Sequence, residues 1–141
     1  MAFELDPTTA FGQRAERRLR EDRLAWLTTT SADGTPQPVP VWFLWDGEHS
    51  FLLYSKPGTA KLRNLASRPR VSLHLDGDGG GGDIVVALGD ASLADEPPAD
   101  QNAAYLHKYA ALIERNGWTP ASFASDYSVA MRITATKLRG W

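Results

Sequence analysis

The residues best suited to chemistry lie between Phe51 and Leu65. Phe51-Leu52-Leu53-Tyr54-Ser55 reads as an apolar strand, Lys56-Pro57-Gly58 as a basic turn, and Thr59 as the N-cap of a short helix with Lys61 in its first turn. Free N–H groups at a helix start carry the positive end of the macrodipole, and the two lysines add full charges, so this turn can hold an anion such as a phosphate. Spacing alone does not separate that reading from two solvated surface lysines, because helix starts are abundant.

Other chemistries find little support. The chain has no cysteine, which removes disulfides, thiolate catalysis and sulfur-ligated metals. His49, His74 and His107 are scattered, and no nucleophile elbow, catalytic carboxylate pair, metal-spaced histidines or Walker turn is present. The Asp/Gly-rich stretch 76–83 invites a calcium reading, but a calcium loop opening at Asp76 needs a carboxylate where Ala87 stands. A flexible hairpin loop accounts for it better. No catalytic side chain and no metal site is assigned, which leaves a cofactor-borne reaction or binding alone.

The elements that must position the basic turn follow from pattern. A helix capped by Thr8 or Thr9 is expected to run to about Asp22 after a loose lead-in over 1–7, with Phe11, Ala15 and Leu19 on one face. Strands are expected over 24–30 and 35–45 with the turn Ser31-Ala32-Asp33-Gly34 between them. Pro36, Pro38 and Pro40 alternate in the second strand, so their missing donors fall on one side, as in an edge strand or one bordering a groove. A helix over 60–67 ends at Pro69, and 70–76 alternates as a half-buried strand. Further strands are expected over 84–94, with a bulge at Gly89, and over 128–138. Between them lie a helix over 99–116, with Ala103, Leu106, Ala110 and Ile113 on its buried stripe, and a short one over 120–127. About six antiparallel strands with flanking helices give an α+β fold centred on a small barrel, in one domain spanning 1–141.

Composition agrees with a globular chain: 141 residues, 43% apolar, 23% charged, and a net charge of −2. That balance argues against nucleic acid and against an anionic membrane as partner. No stretch approaches the ~20 apolar residues of a membrane span, and the amino terminus lacks a basic segment followed by an apolar run, so a cytoplasmic protein is expected.

In this order the parts resemble the pyridoxamine 5′-phosphate oxidase-like split β-barrel superfamily. Within it they are similar to the actinobacterial flavin/deazaflavin oxidoreductases that use coenzyme F-420, B-type subgroup. The resemblance rests on Leu24-Ala25-Trp26-Leu27-Thr28-Thr29 with its Asp-Gly turn, Pro38-Val39-Pro40-Val41-Trp42-Phe43, the turn from Tyr54 to Asn64, Arg68-Pro69-Arg70 and the closing 133–141. It implies that Tyr54, Thr59 and Lys61 bind the cofactor's phosphate together with Ser55, Lys56 and Gly58. It implies also that Pro38, Val39, Pro40, Val41 and Trp42 run along the edge of the tricyclic ring, with Trp141 a candidate wall.

Flavin mononucleotide is the alternative cofactor. The oxidases that hold it carry an arginine and a lysine on the preceding strand, where Val39 and Leu44 stand here, which favours the deazaflavin; the basic substrate-phosphate set of a true pyridoxamine phosphate oxidase is absent too. The implied reaction is hydride transfer from reduced F-420 to a conjugated small-molecule acceptor such as an enone, quinone or tetrapyrrole-like compound, with water, Tyr54 or His74 as the options for a proton donor. A non-catalytic carrier of the cofactor is the reading from another class. The resemblance further implies a homodimer with cofactor sites where the subunits meet.

Overall fold

A computed structural model describes residues 5–141, so the first part of the lead-in lies outside the described residues. Seven strands build one antiparallel sheet: β1 (Ala25–Thr30), β2 (Pro36–Val41), β3 (Leu44–Trp45), β4 (Ser50–Ser55), β5 (Arg70–His74), β6 (Val85–Leu93) and β7 (Val129–Gly140). Their order is β2-β1-β5-β6-β7-β4-β3. The helices are α1 (Ala10–Glu21), α2 (Ala60–Ser67), α3 (Ala103–Arg115) and α4 (Pro120–Asp126).

One run departs from expectation. The bulky stretch 35–45 is not one strand: it breaks at Trp42 and Phe43, and its two pieces lie on opposite edges of the sheet. Edges joined by two residues must stand close in space, so the sheet curls into a split half-barrel. The break also raises the strand count from about six to seven. A hydroxyl holds it: Tyr109 Oη accepts from Phe43 N at 2.8 Å and donates to Arg23 O at 2.8 Å, and Lys108 Nζ donates to Phe43 O at 2.8 Å. Strand propensity is continuous through Val41-Trp42-Phe43-Leu44-Trp45, and only this long-range contact tells the chain to leave the ladder.

The core inside the curl gathers Leu19, Leu27, Phe43, Trp45, Phe51, Leu53, Leu73, Met131 and Ile133, each at most 4% exposed. α1 closes one end, with Thr9 Oγ1 capping Gly12 N at 2.9 Å and Ala15 and Leu19 facing inward. β6 bulges between Leu88 and Gly89, as the glycine suggested; a Cβ at Gly89 would stand 2.2 Å from Thr134 O. α3 turns a different stripe inward from the alanine-based one. Tyr105, Tyr109 and Ile113 are buried, while Ala103 and Ala110 are exposed, because two large rings bury more apolar area than two methyl groups. A second core, formed by Tyr54, Tyr105, Tyr109, Ile113 and Phe123, joins α3 and α4 to β4. Among the described residues no helix is long and apolar enough to cross a membrane.

Candidate functional site

β2 pairs only with β1, in the register Trp26↔Pro40, Thr28↔Pro38 and Thr30↔Pro36. Proline has no N–H to give, so the ladder donors of β2 are Gln37, Val39 and Val41, and the prolines face outward. N–H and C=O of one antiparallel residue point the same way. The open edge of β2 therefore displays the carbonyls of Pro36, Pro38 and Pro40 with no N–H beside them.

β2 ends at a cavity of about 500 Å³. β2, β4 and α2 contribute Pro40, Val41, Trp42, Tyr54 and Lys61 to its lining, α3, α4 and their flanks contribute Tyr105, Leu112, Arg115, Asn116, Trp118, Phe123 and Tyr127, and Leu24 lines it as well. The only charged residues in the lining are Lys61 and Arg115, and no carboxylate is among them. The interior is aromatic. Trp42 stacks on Tyr109 at 4.7 Å with the planes 4° apart and lies 5.4 Å from Phe123, which itself stacks on Tyr127 at 4.5 Å.

The basic turn stands beside this cavity. Gly58 takes φ +73, open to a glycine and strained for any other residue, and accepts from Arg63 Nη1 at 2.5 Å. Thr59 is the N-cap of α2 in extended conformation, yet its side chain makes no capping bond; its Oγ1 stands 3.3 Å from Ser55 Oγ, which donates to Lys56 O at 2.9 Å. The other α-helices have side-chain caps, from Thr9, Asn102 and Thr119. The first-turn N–H groups of α2 thus keep their anion-accepting capacity. Lys61 is half-buried, makes no ion pair among the described residues, and burial lowers its pKa. An unpaired cation losing solvation is a place where an anion gains affinity. Lys56 is exposed, its Nζ 5.4 Å from the centroid of Tyr127.

The structure thus brings Pro40, Val41, Trp42, Tyr54 and Lys61 into one cavity, with Ser55, Lys56, Gly58 and Thr59 on the adjoining turn. Pro38 and Val39 lie farther along β2, Pro38 exposed and Val39 packed against the core. Tyr54 Oη is committed internally: it donates to Pro97 O at 2.8 Å and accepts from Asn102 Nδ2 at 3.3 Å. His74 is half-buried with Nδ1 3.1 Å from Leu75 O and does not line the cavity. Trp141 is 65% exposed, donates to Gly81 O at 2.7 Å and does not line it either.

The wall built by α3 and α4 was not anticipated. Its signal in the sequence is the density of rings, with Tyr105, Tyr109, Trp118, Phe123 and Tyr127 falling in one stretch between two strands. No cluster of three or more metal-ligating side chains occurs among the described residues.

A curled antiparallel half-barrel sheet of seven strands with flanking helices is the split β-barrel architecture. The pyridoxamine 5′-phosphate oxidase family model matches residues 11–141, and the chain belongs to that family. Among solved structures it is similar to a conserved hypothetical protein from Mycobacterium tuberculosis, at 26% identity over 92% of this chain and 82% of that one, with a TM-score of 0.71. It is similar also to an F-420 reductase, at 24% identity over 88% of this chain and 94% of that one, TM-score 0.65. A FAD-binding protein from Mesorhizobium loti shares the fold at 21% identity, 89% and 88% coverage and TM-score 0.62. A search of curated proteins gave no match.

Proposed function

We propose that this protein is a coenzyme F-420-dependent oxidoreductase that delivers hydride to a flat, conjugated small molecule. The fold does not choose the cofactor, since the relatives that share it include one described as an F-420 reductase and one as FAD-binding. The observation that carries the reading is Lys61: a half-buried ammonium with no acidic partner among the described residues, at the α-helix start that alone among the described ones lacks a side-chain cap, opening onto an aromatic cavity with no carboxylate in its lining. Such a place suits the phosphate of a cofactor whose ring lies in the cavity.

The acceptor-only edge of β2 suits the N–H of a pyrimidine ring, and Trp42 gives that ring an aromatic neighbour. Val39 packs into the first core and Leu44 against the second, so the two places where cations would mark flavin mononucleotide are filled by apolar side chains. Reduced F-420 supplies the hydride when bound. The chain's part is to anchor the phosphate, orient the ring and keep water from its face.

A second copy completes the assembly. Leu93 is 65% exposed beside a shallow apolar groove of Pro57, Leu62, Pro69 and Val129, which lies against the basic turn through Pro57 and Gly58. Dimerisation through this face brings the partner next to the phosphate site.

Fluorescence titration with F-420, and in parallel with flavin mononucleotide, tests the cofactor. Micromolar or tighter F-420 binding that Lys61→Ala weakens supports the reading, and a preference for flavin mononucleotide, or indifference to Lys61, overturns it. Turnover on an enone and quinone panel separates an enzyme from a carrier.

A further inference from the structure

Tyr54 opens the spacing that the resemblance assigns to phosphate, yet its hydroxyl already has partners for both of its roles. A phenol carries one proton, and Tyr54 Oη gives it to Pro97 O at 2.8 Å. Asn102 Nδ2 donates to the same oxygen at 3.3 Å. A phosphate dianion only accepts, so Tyr54 cannot bond one without leaving Pro97 O unpaired. Burial raises the pKa of Tyr54, which keeps the proton in place.

What the hydroxyl holds is the connection between β6 and α3. That connection leaves the sheet at Ala94, whose N–H donates to Ala130 O at 2.9 Å. Glu96 then pairs with Arg132, whose Nη1 donates to Ser50 Oγ at 2.8 Å. Asn102 serves twice: its Oδ1 accepts from Tyr105 N at 3.1 Å as the N-cap of α3, while its Nδ2 reaches Tyr54. One amide therefore ties the start of α3 to β4, and the Tyr54 and Tyr105 rings meet edge to face at 4.9 Å. α3 supplies Tyr105, Leu112 and Arg115 to the cavity lining, and Tyr54 belongs to that lining too.

We propose that Tyr54 is a positioning residue: its hydroxyl, through Pro97 and Asn102, fixes the start of α3 and with it the shape of the cavity around the cofactor's ring, and it gives no bond to the phosphate. This rests on the reading above, in which the ring lies in the cavity and the phosphate on the basic turn. Anchoring is then left to Lys61 and the free N–H groups of α2. A displaced lining weakens every ligand that uses the ring, with or without a phosphate, because a closely packed site does not absorb small shifts. Loss of a phosphate ligand weakens only the ligand that bears a phosphate.

The test compares each cofactor with its phosphate-free chromophore, F-420 with its deazariboflavin and flavin mononucleotide with riboflavin, titrated by fluorescence into the purified protein. Tyr54→Phe keeps the ring and removes the hydroxyl; it is expected to weaken F-420 and deazariboflavin by the same factor, about three- to tenfold. Asn102→Ser keeps an oxygen for the cap of α3 and removes the amide donor, and it is expected to weaken both ligands equally as well. The double variant is expected to bind no more weakly than the weaker single one, since both changes cut the same tie. Lys61→Ala is expected to lower F-420 affinity more than deazariboflavin affinity.

A Tyr54→Phe protein that loses affinity for F-420 alone makes the hydroxyl a phosphate ligand and overturns the proposal. Unchanged affinity for both ligands overturns it too, because the hydroxyl then serves only the fold, and so do losses that add in the double variant. If flavin mononucleotide and riboflavin show the equal losses while F-420 does not bind, the positioning role stands and the cofactor reading falls. If the parent protein binds neither pair, both fall.

Discussion

Two lysines flank one turn, but their surroundings assign them unequal weight. Lys61 is half-buried against an aromatic cavity, whereas Lys56 is exposed over Tyr127. A charge-assisted bond made in a partly dry site is worth more than one made in open solvent, where salt screens it. Lys61→Ala is therefore expected to cost about 1.5–3 kcal/mol of F-420 affinity. Lys56→Ala should cost less, and its effect should vanish on raising salt to about 0.5 M while most of the Lys61 effect survives. Titrations at two ionic strengths decide it, and equal losses at both positions would show that the cavity does not distinguish them. At this scale the lysines and the turn glycine were legible, because charge and φ preference are properties of the residue itself. The hydroxyl of Tyr54 was not: its engagement with Pro97 and Asn102 is set by a loop that comes 43 residues later in the chain. Trp141 shows the same dependence on distant chain, its indole N–H donating to Gly81 O in the glycine-rich loop.

Elements were legible where periodicity was strong and hidden where a long-range contact overrides it. α1, α2, the alternating strands and the Gly89 bulge follow from local pattern. The crossover at Trp42 and Phe43 does not, because the run 41–45 has uniform strand propensity. Its lock is the Tyr109 hydroxyl, held at 2.8 Å to Phe43 N and to Arg23 O. Tyr109→Phe keeps the ring stacked on Trp42 but orphans a buried N–H, with an expected loss of about 1–3 kcal/mol in chemical denaturation. A loss within about 0.5 kcal/mol would show that the break is stabilised elsewhere.

Lys108 sits on the same lock, its Nζ 3.8 Å from the Phe43 ring centroid. Burial depresses its pKa from 10.5 to about 8. Below pH 8 the folded state carries the full cost of a desolvated charge. Between pH 8 and 10.5 the folded state has released a proton that the unfolded state still binds, so this group's contribution to stability rises with pH. The expected outcome is that the parent protein gains stability relative to Lys108→Met between pH 7.5 and 9.5; a flat difference would mean that the carbonyl and the ring keep the ammonium charged.

For the whole molecule, the proposed homodimer depends on which surface can receive a second copy. Exposed sheet edges usually invite pairing, and β2 is an exposed edge. Its geometry withdraws the invitation, because an edge that offers the carbonyls of Pro36, Pro38 and Pro40 and no donor cannot form a two-way ladder. The opposite edge, β3, is two residues long. Strand addition is thus disfavoured at both edges, and the homodimer proposed above is expected to use a face. The apolar groove between α2 and β6, with Leu93 standing 65% exposed on its rim, is such a face and adjoins the basic turn. Leu93→Glu places a charge there without touching the core. It is expected to convert a two-copy mass in sedimentation at about 50 μM into a one-copy mass, since burying an unpaired carboxylate costs several kcal/mol per copy. Because Gly58 and Pro57 belong to both the groove and the turn, the same substitution should weaken F-420 binding even though Leu93 does not line the cavity. A parent protein that sediments as one copy removes the face from the argument. A dimer that Leu93→Glu splits without any change in F-420 affinity would place the phosphate site wholly within one chain.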